Sequence, residues 1–284
     1  PPTPPPLFFF LMIRRPPRST EGVSSAVSDV YKRQTTIARE AGQILHEGYG
    51  NPGEITYKGI SDIVTHYDRK SEEHIKTFLA THYPNHSIRA EESGVSGNQD
   101  NNKYEWLIDP LDGTTNFAHS FPFFAVSICL LEDTRPILGV VYDPMRDEMF
   151  TATAGGTAKL NDKNINVTKT SKLKDSLLGT GFPYDMNTRE SNNLTEVETV
   201  LHQSQGIRRA GAAALDLCYT ACGRLDAFWE IELQPWDMAA GALIVQEAGG
   251  QLTNLTGNPK WFPGKSIVAS NGICLLYTSP SPRD

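Results

Sequence analysis

The sequence predicts an α+β fold, with antiparallel strands and helices stacked in layers rather than alternating in strict βαβ units. Three apolar runs, Phe124 to Leu131, Ile137 to Tyr142 and Glu148 to Ala152, follow one another across short turns at Asp133 and at Pro144 and Met145, as antiparallel strands do. Stretches of helical spacing lie before and after that block. The chain has 284 residues, 39% of them hydrophobic, and no internal repeat, which suits a large layered core.

The elements follow in order. Ile37, Ala38, Ala41, Ile44 and Leu45 recur among Arg39, Glu40 and Glu47, predicting an amphipathic helix from Thr35 to Tyr49. Turn-rich Gly50 to Gly53 leads to a short strand or loop over 57–65. A second helix, with Asp68 in its first turn, is expected from Tyr67 to His82. Ser87 to Ala90 reads as a strand running into Glu91 and Glu92, and Ser96 to Lys103 as a polar loop. Trp106, Leu107 and Ile108 form a short buried strand that Pro110 ends, because proline removes a backbone donor. Beyond the three apolar runs come a strand from Leu177 to Gly181, a helix from Thr195 to His202 and a small-residue helix from Ala212 to Gly223. The strand Ala227 to Glu230 and a helix from Ala239 to Ala248, opened by Pro235 and ended by Gly249 and Gly250, complete the series.

The two ends break this pattern. Residues 1–34 are rich in proline and hold one apolar run, Leu7 to Ile13. That run is shorter than the ~20 residues a membrane span takes, and its Arg14 and Arg15 follow it where a secretory signal places positive charge before. Residues 1–34 and the tail 273–284 resemble translated adapter sequence, so the functional reading is confined to 35–272.

Composition excludes several functions. A net charge of −7 and a pI near 5.5 argue against a nucleic-acid-binding surface as the main function, and no segment calls for a membrane. The cysteines at 129, 218, 222 and 274 form no CxxC pair, which removes a disulfide framework and a structural zinc site and fits a reducing cytoplasm.

The chemistry concentrates in Asp109-Pro110-Leu111-Asp112-Gly113-Thr114-Thr115-Asn116-Phe117. Two carboxylates three apart stand where a strand meets a turn, ahead of residues suited to the mouth of a helix that attracts an anion. The same stretch is also ordinary turn chemistry, and taken alone it leaves both readings open. Glu91 and Asp237 share its setting, a carboxylate at an element boundary beside small residues, glycine or proline. Hard oxygen donors of this kind suit Mg²⁺, which completes its shell with water and phosphate oxygens.

Three motifs, Ala90-Glu91-Glu92-Ser93-Gly94, the stretch from Asp109 to Phe117, and Pro235-Trp236-Asp237-Met238-Ala239-Ala240-Gly241, resemble the inositol monophosphatase family in order and spacing. The resemblance implies an α/β/α/β/α sandwich with an N-terminal α+β half over 35–168 and a C-terminal half over 169–272. It implies two or three Mg²⁺ ions: the first on Glu91, Asp109 and the carbonyl of Leu111, the second on Asp109, Asp112 and Asp237, a third leaning on Glu91. Glu91 and Thr114 would orient and deprotonate a water for in-line attack, with Asp112 in the catalytic set. The N–H groups of Gly113 and Thr114 would hold the phosphate, while Gly211, Ala212, Glu230 and Asp237 would face the substrate. Lys58 and Asp62 match a loop closing over the metals, and Asp68 a buried acid that supports the ligands.

The implied activity is hydrolysis of a small polyol phosphate monoester, inositol monophosphate first, in a cytoplasmic homodimer. Relatives acting on 3′-phosphoadenosine 5′-phosphate, histidinol phosphate or fructose 1,6-bisphosphate rank below it. So does a regulatory binding protein on the same fold, since association with the transcription machinery has no support in the residues.

Overall fold

The computed structural model describes residues 25–59, 62–98 and 103–275. Helix α1 (Ser25–Gly48) buries Ile37, Ala38, Ala41 and Leu45 along one stripe, as its periodicity predicts. It begins before the limit expected at residue 34. Gln34 is buried and its Nε2 donates to the carbonyl of Ile128 at 2.7 Å, and the Tyr31 hydroxyl lies 3.2 Å from Thr151 Oγ1. Residues 29–34 are therefore part of the packed fold. Residues 1–24 and 276–284 lie outside the described residues, whereas Cys274, expected in the non-native tail, is buried.

A hairpin of β1 (Ile55–Tyr57) and β2 (Ile63–Thr65) leads into α2 (His66–His82). Thr65 caps that helix, accepting from Tyr67 N, while Asp68 Oδ2 accepts from Thr65 N at 2.8 Å. An eight-stranded sheet follows, made of β3 (Ser87–Ala90), β4 (Gly94–Gly97), β5 (Tyr104–Asp112), β6 (Ala125–Glu132), β7 (Arg135–Asp143), β8 (Glu148–Thr153), β9 (Lys159–Leu160) and β10 (Lys163–Asn164). Its order is β10-β9-β8-β7-β6-β5-β3-β4, antiparallel except for the parallel pair β3 and β5. The five-residue helix α3 (Thr114–Ala118) interrupts the run after β5.

The second half contains β11 (Leu177–Thr180), α4 (Leu194–Leu201), β12 (Gly206–Arg208), α5 (Ala213–Ala221), β13 (Ala227–Ile231), α6 (Pro235–Glu247), β14 (Gln251–Thr253) and β15 (Ser266–Ser270). Its five-stranded sheet has the order β12-β11-β13-β15-β14, with β11 parallel to both β12 and β13.

Three cores define the layers. Ile37, Leu45, Ile75 and Leu79 from α1 and α2 pack on Trp106, Ile108 and Ile128 of the large sheet. Its other face meets α5 and α6, where Leu217, Met238 and Ile244 lie between Leu107 and Phe150 of one sheet and Phe228 and Ile267 of the other. Val197 and Val200 of α4 close the outer face of the small sheet over Leu178 and Trp229. The α/β/α/β/α sandwich is the fold observed. α6 is apolar on nearly all sides because it is sandwiched between two sheets.

One expectation is corrected. The strand at Trp106 does not stop at Pro110 but continues to Asp112 through a bulge: Asp109 pairs with Ser127 and Asp112 with Ala125, three residues spanning two. A residue without an N–H is tolerated in such a bulge because the ladder is locally broken there anyway.

Candidate active site

Register brings the acids together. Because β3 and β5 run parallel with Ala90 opposite Ile108, Glu91, just past the end of β3, comes beside Asp109 in β5, and Glu91 N donates to the Ile108 carbonyl at 3.1 Å. The bulge then turns Asp112 toward the second half. Its Oδ1 and Oδ2 accept the N–H groups of Ala213 and Ala214 at 3.1 and 2.7 Å, at the start of α5. Ser127, the cross-strand partner of Asp109, donates from Oγ to the Trp236 carbonyl at 3.1 Å and so pins the first turn of α6. Asp237 stands in that turn, its Oδ2 accepting Gln234 N at 2.7 Å.

Gly113 has φ +92, a left-handed conformation that glycine adopts without strain, and heads α3. Thr114 follows, buried, with Oγ1 2.9 Å from Asp68 Oδ1 and 3.0 Å from the Leu111 carbonyl. Asp68 is itself buried and held by Thr65 through N and Oγ1. Burial pushes its pKa up to about 6, against the lowering effect of those bonds.

The acids are crowded and poorly compensated. Burial first, then the charges of Glu91, Asp112 and Asp237, hold Asp109 well above the ordinary carboxylate range. Asp112 is pushed up to about 7 by burial despite the helix donors it accepts, and Asp237 is raised by burial and by Glu91. Lys58, on the hairpin loop, is the cation in contact, its Nζ 3.1 Å from Glu91 Oε1 and 2.5 Å from Glu92 Oε1.

Glu91, Asp109, Leu111, Asp112, Gly113, Thr114, Gly211, Glu230 and Asp237 all line one cavity of about 460 Å³, along with Lys58 and Asp62. Ala212 does not. It is buried, and its Cβ would lie 3.2 Å from a Cβ at Gly113, so it packs behind Gly113 and away from the cavity; Ala213 lines the wall in its place. Sequence reasoning missed Tyr184, Arg189, Arg209 and Glu232, which also line the cavity. Their signal was topological: they follow the C-terminal ends of β11, β12 and β13, as Glu91 follows β3, and ligands gather at such strand ends.

The donor set is entirely oxygen, and a divalent cation would relieve the mutual repulsion of these acids. The residues thus fit a hard cation by chemistry and by sharing one cavity. Among the described residues, however, no three His, Cys, Asp or Glu side chains are grouped closely enough to hold one ion. Glu91, Asp112 and Asp237 are turned instead to the donors just described, and Asp109 Oδ1 accepts the Leu111 N–H at 3.0 Å.

A profile of the inositol monophosphatase family matches residues 26–279. The Nus factor SuhB of Pseudomonas aeruginosa is 46% identical over 253 residues, covering 87% of this chain and 93% of that protein. The inositol-1-monophosphatase of Synechocystis sp. is 46% identical over 239 residues, 84% of this chain and 83% of that protein. The solved structure of inositol monophosphatase from Anabaena (Nostoc) sp. superposes with a TM-score of 0.80 at 43% identity, covering 89% and 94% of the two chains. Sequence and fold agree: the chain belongs to the inositol monophosphatase family.

Proposed function

We propose that this chain is a Mg²⁺-dependent phosphatase that hydrolyses small polyol phosphate monoesters, with inositol monophosphate the best-fitting substrate. The observation that carries it is the meeting of Glu91, Asp109, Asp112 and Asp237, from three separate segments, in one cavity beside Gly113 and Thr114.

Glu91, Asp109 and the Leu111 carbonyl would hold one ion and Asp109, Asp112 and Asp237 another, with a third beside Glu91. Bound there, the ions supply Lewis acidity toward a water and the leaving oxygen. The protein does the rest. When the Thr114 hydroxyl donates to Asp68, its oxygen lone pairs are free to accept from the attacking water, and Glu91 takes the second proton. The N–H groups of Gly113 and Thr114 hold the phosphate oxygens, and Glu230 and Gly211 meet the alcohol. Glu230 lies against Gly181, where a Cβ would overlap its carboxylate.

A panel of monoesters assayed with and without Mg²⁺ tests the reading. Turnover of 3′-phosphoadenosine 5′-phosphate far faster than inositol phosphates would overturn the substrate, and metal-independent turnover the chemistry. A cytoplasmic homodimer is part of the reading, and sedimentation as a monomer at micromolar concentration would remove the dimer.

A second reading, a partner of the transcription machinery, is favoured by relatives named Nus factor SuhB. Asp112→Asn separates the two, since a binding role survives the substitution and a phosphatase does not.

A further inference from the structure

We propose that Asn116 is a positioning residue that fixes the alcohol-facing wall of the cavity to the phosphate loop, so that recognition of the leaving alcohol depends on it while handling of the phosphate does not. The inference rests on the phosphatase reading for its substrate terms, and on hydrogen bonding alone for the clamp.

Asn116 lies in α3, two residues past Thr114, and makes no contact with the acids. Its Nδ2 donates to the carbonyls of Phe123 at 2.7 Å and Ala210 at 2.8 Å, with Gly211 O at 3.3 Å. One side-chain amide with two N–H groups thus serves three backbone acceptors, one seven residues on and two from the distant loop before α5. The orientation is fixed, because reversing the amide would point its oxygen at three other oxygens.

Two of those carbonyls also touch the phosphate loop. A Cβ built on Gly113 would lie 3.0 Å from Phe123 O and 3.2 Å from Gly211 O. Asn116 therefore holds the carbonyls of Phe123 and Gly211 close beside the one residue of that loop without a side chain, where no Cβ would fit without a shift. Gly211, at φ +88, lies over the Asn116 amide and under Arg209, whose Nη1 is 3.1 Å from where a Cβ would stand. The next residues are gripped from the other side: Asp112 accepts the N–H groups of Ala213 and Ala214, which Ala212 cannot cap. The segment 210–214 hangs from Asn116 by its carbonyls and from Asp112 by its amides. Asp112 is tied to the metal reading, whereas Asn116 serves position alone.

Asn116→Ser keeps one shorter donor, and Asn116→Asp removes both and sets a charge against three carbonyl oxygens, so the effects should rise in that order. The assays compare myo-inositol 1-phosphate with p-nitrophenyl phosphate, whose leaving group offers the wall no hydroxyls. Losing hydrogen bonds of this kind should raise KM for inositol phosphate about tenfold in Asn116→Ser and more in Asn116→Asp. kcat/KM for p-nitrophenyl phosphate and inhibition by inorganic phosphate should stay within about twofold of the parent. Equal losses on both substrates, or an unchanged KM for inositol phosphate, would overturn the proposal. Amide hydrogen exchange over residues 206–216 gives a readout independent of turnover: faster exchange in Asn116→Ser supports the clamp, and unchanged exchange overturns it. If the parent hydrolyses neither ester, the phosphatase reading fails while the exchange data still decide the clamp.

Discussion

The carboxylate of Asp112 lies 2.7 Å from the backbone nitrogen of Ala214, a residue 102 positions later, and 3.1 Å from that of Ala213. It acts as the N-terminal cap of α5, whose own cap position, Ala212, offers no side chain for the purpose. On the proposed reading Asp112 has a metal-binding role beside this observed cap, and substitution can separate the two. In metal-free protein, Asp112→Asn should stay within about 1 kcal/mol of the parent, since it loses one of the two accepted N–H groups but removes one charge from a crowd of acids. Asp112→Ala should be less stable than Asp112→Asn by about 1–2 kcal/mol for the lost cap. Both should lose activity by orders of magnitude. Urea unfolding beside a phosphatase assay measures this, and equal stability of the two variants would remove the capping role.

Mg²⁺ should stabilise the fold as well as support turnover. Relief of repulsion among Asp109, Asp112 and Asp237 makes the native state the binding-competent one, with a gain of about 2.7 kcal/mol at hundredfold excess over Kd. Thermal unfolding with and without EDTA should show the melting temperature rising with Mg²⁺ and turnover vanishing on chelation. The rise should disappear in Asp109→Asn, and a rise that persists there places the ion elsewhere.

Two glycines should respond in opposite ways. A Cβ at Gly181 would collide with the mobile end of Glu230, so Gly181→Ala should displace that carboxylate, raising KM for inositol phosphate with little change in melting temperature. At Gly113 the obstacle is the Phe123 backbone and φ is +92, so Gly113→Ala should cost roughly 1–3 kcal/mol of stability. Calorimetry and steady-state kinetics on both variants check the contrast.

Asp68 should leave a signature in the pH dependence of stability. Its pKa rises from 3.8 to about 6 on folding, chiefly through burial. The folded state then binds the proton more tightly than the unfolded one, so this group's contribution to stability falls as pH rises from near 4 to near 6 and is level above. Asp68→Asn should flatten that limb in metal-free protein. Urea midpoints at a series of pH values, compared with the parent, would show no difference if the shift is absent.

Much of this was legible in the sequence where local chemistry settles the matter. The apolar runs that became β6, β7 and β8, the stripe of α1 and the proline-opened α6 follow from periodicity and punctuation. Glu91, Asp109, Asp112 and Asp237 stood out because carboxylates at element ends next to glycine and proline are conspicuous, and the family resemblance gathered them. Pro110 misled because a proline reads as a strand end, whereas the strand passes it in a bulge that only pairing with Ser127 and Ala125 reveals. The short strands β12, β14 and β15 offer little periodicity, and Tyr184, Arg189 and Arg209 reach the cavity through the parallel register of β11, β12 and β13. Ala212 was assigned to the wall one residue early, since a turn of helix decides which of two adjacent alanines faces inward.

The bond from Asp112 to α5, with that from Ser127 to Trp236, also gives the centre an unusual kind of ownership. Glu91, Asp109 and Asp112 come from the eight-stranded sheet, and Glu230 and Asp237 from the elements around the five-stranded one. Neither half carries a diminished version of the site; each carries an incomplete list of parts. On the proposed reading, a chain whose halves have folded but not docked should be silent, and turnover should report on assembly of the whole sandwich as directly as any probe of shape.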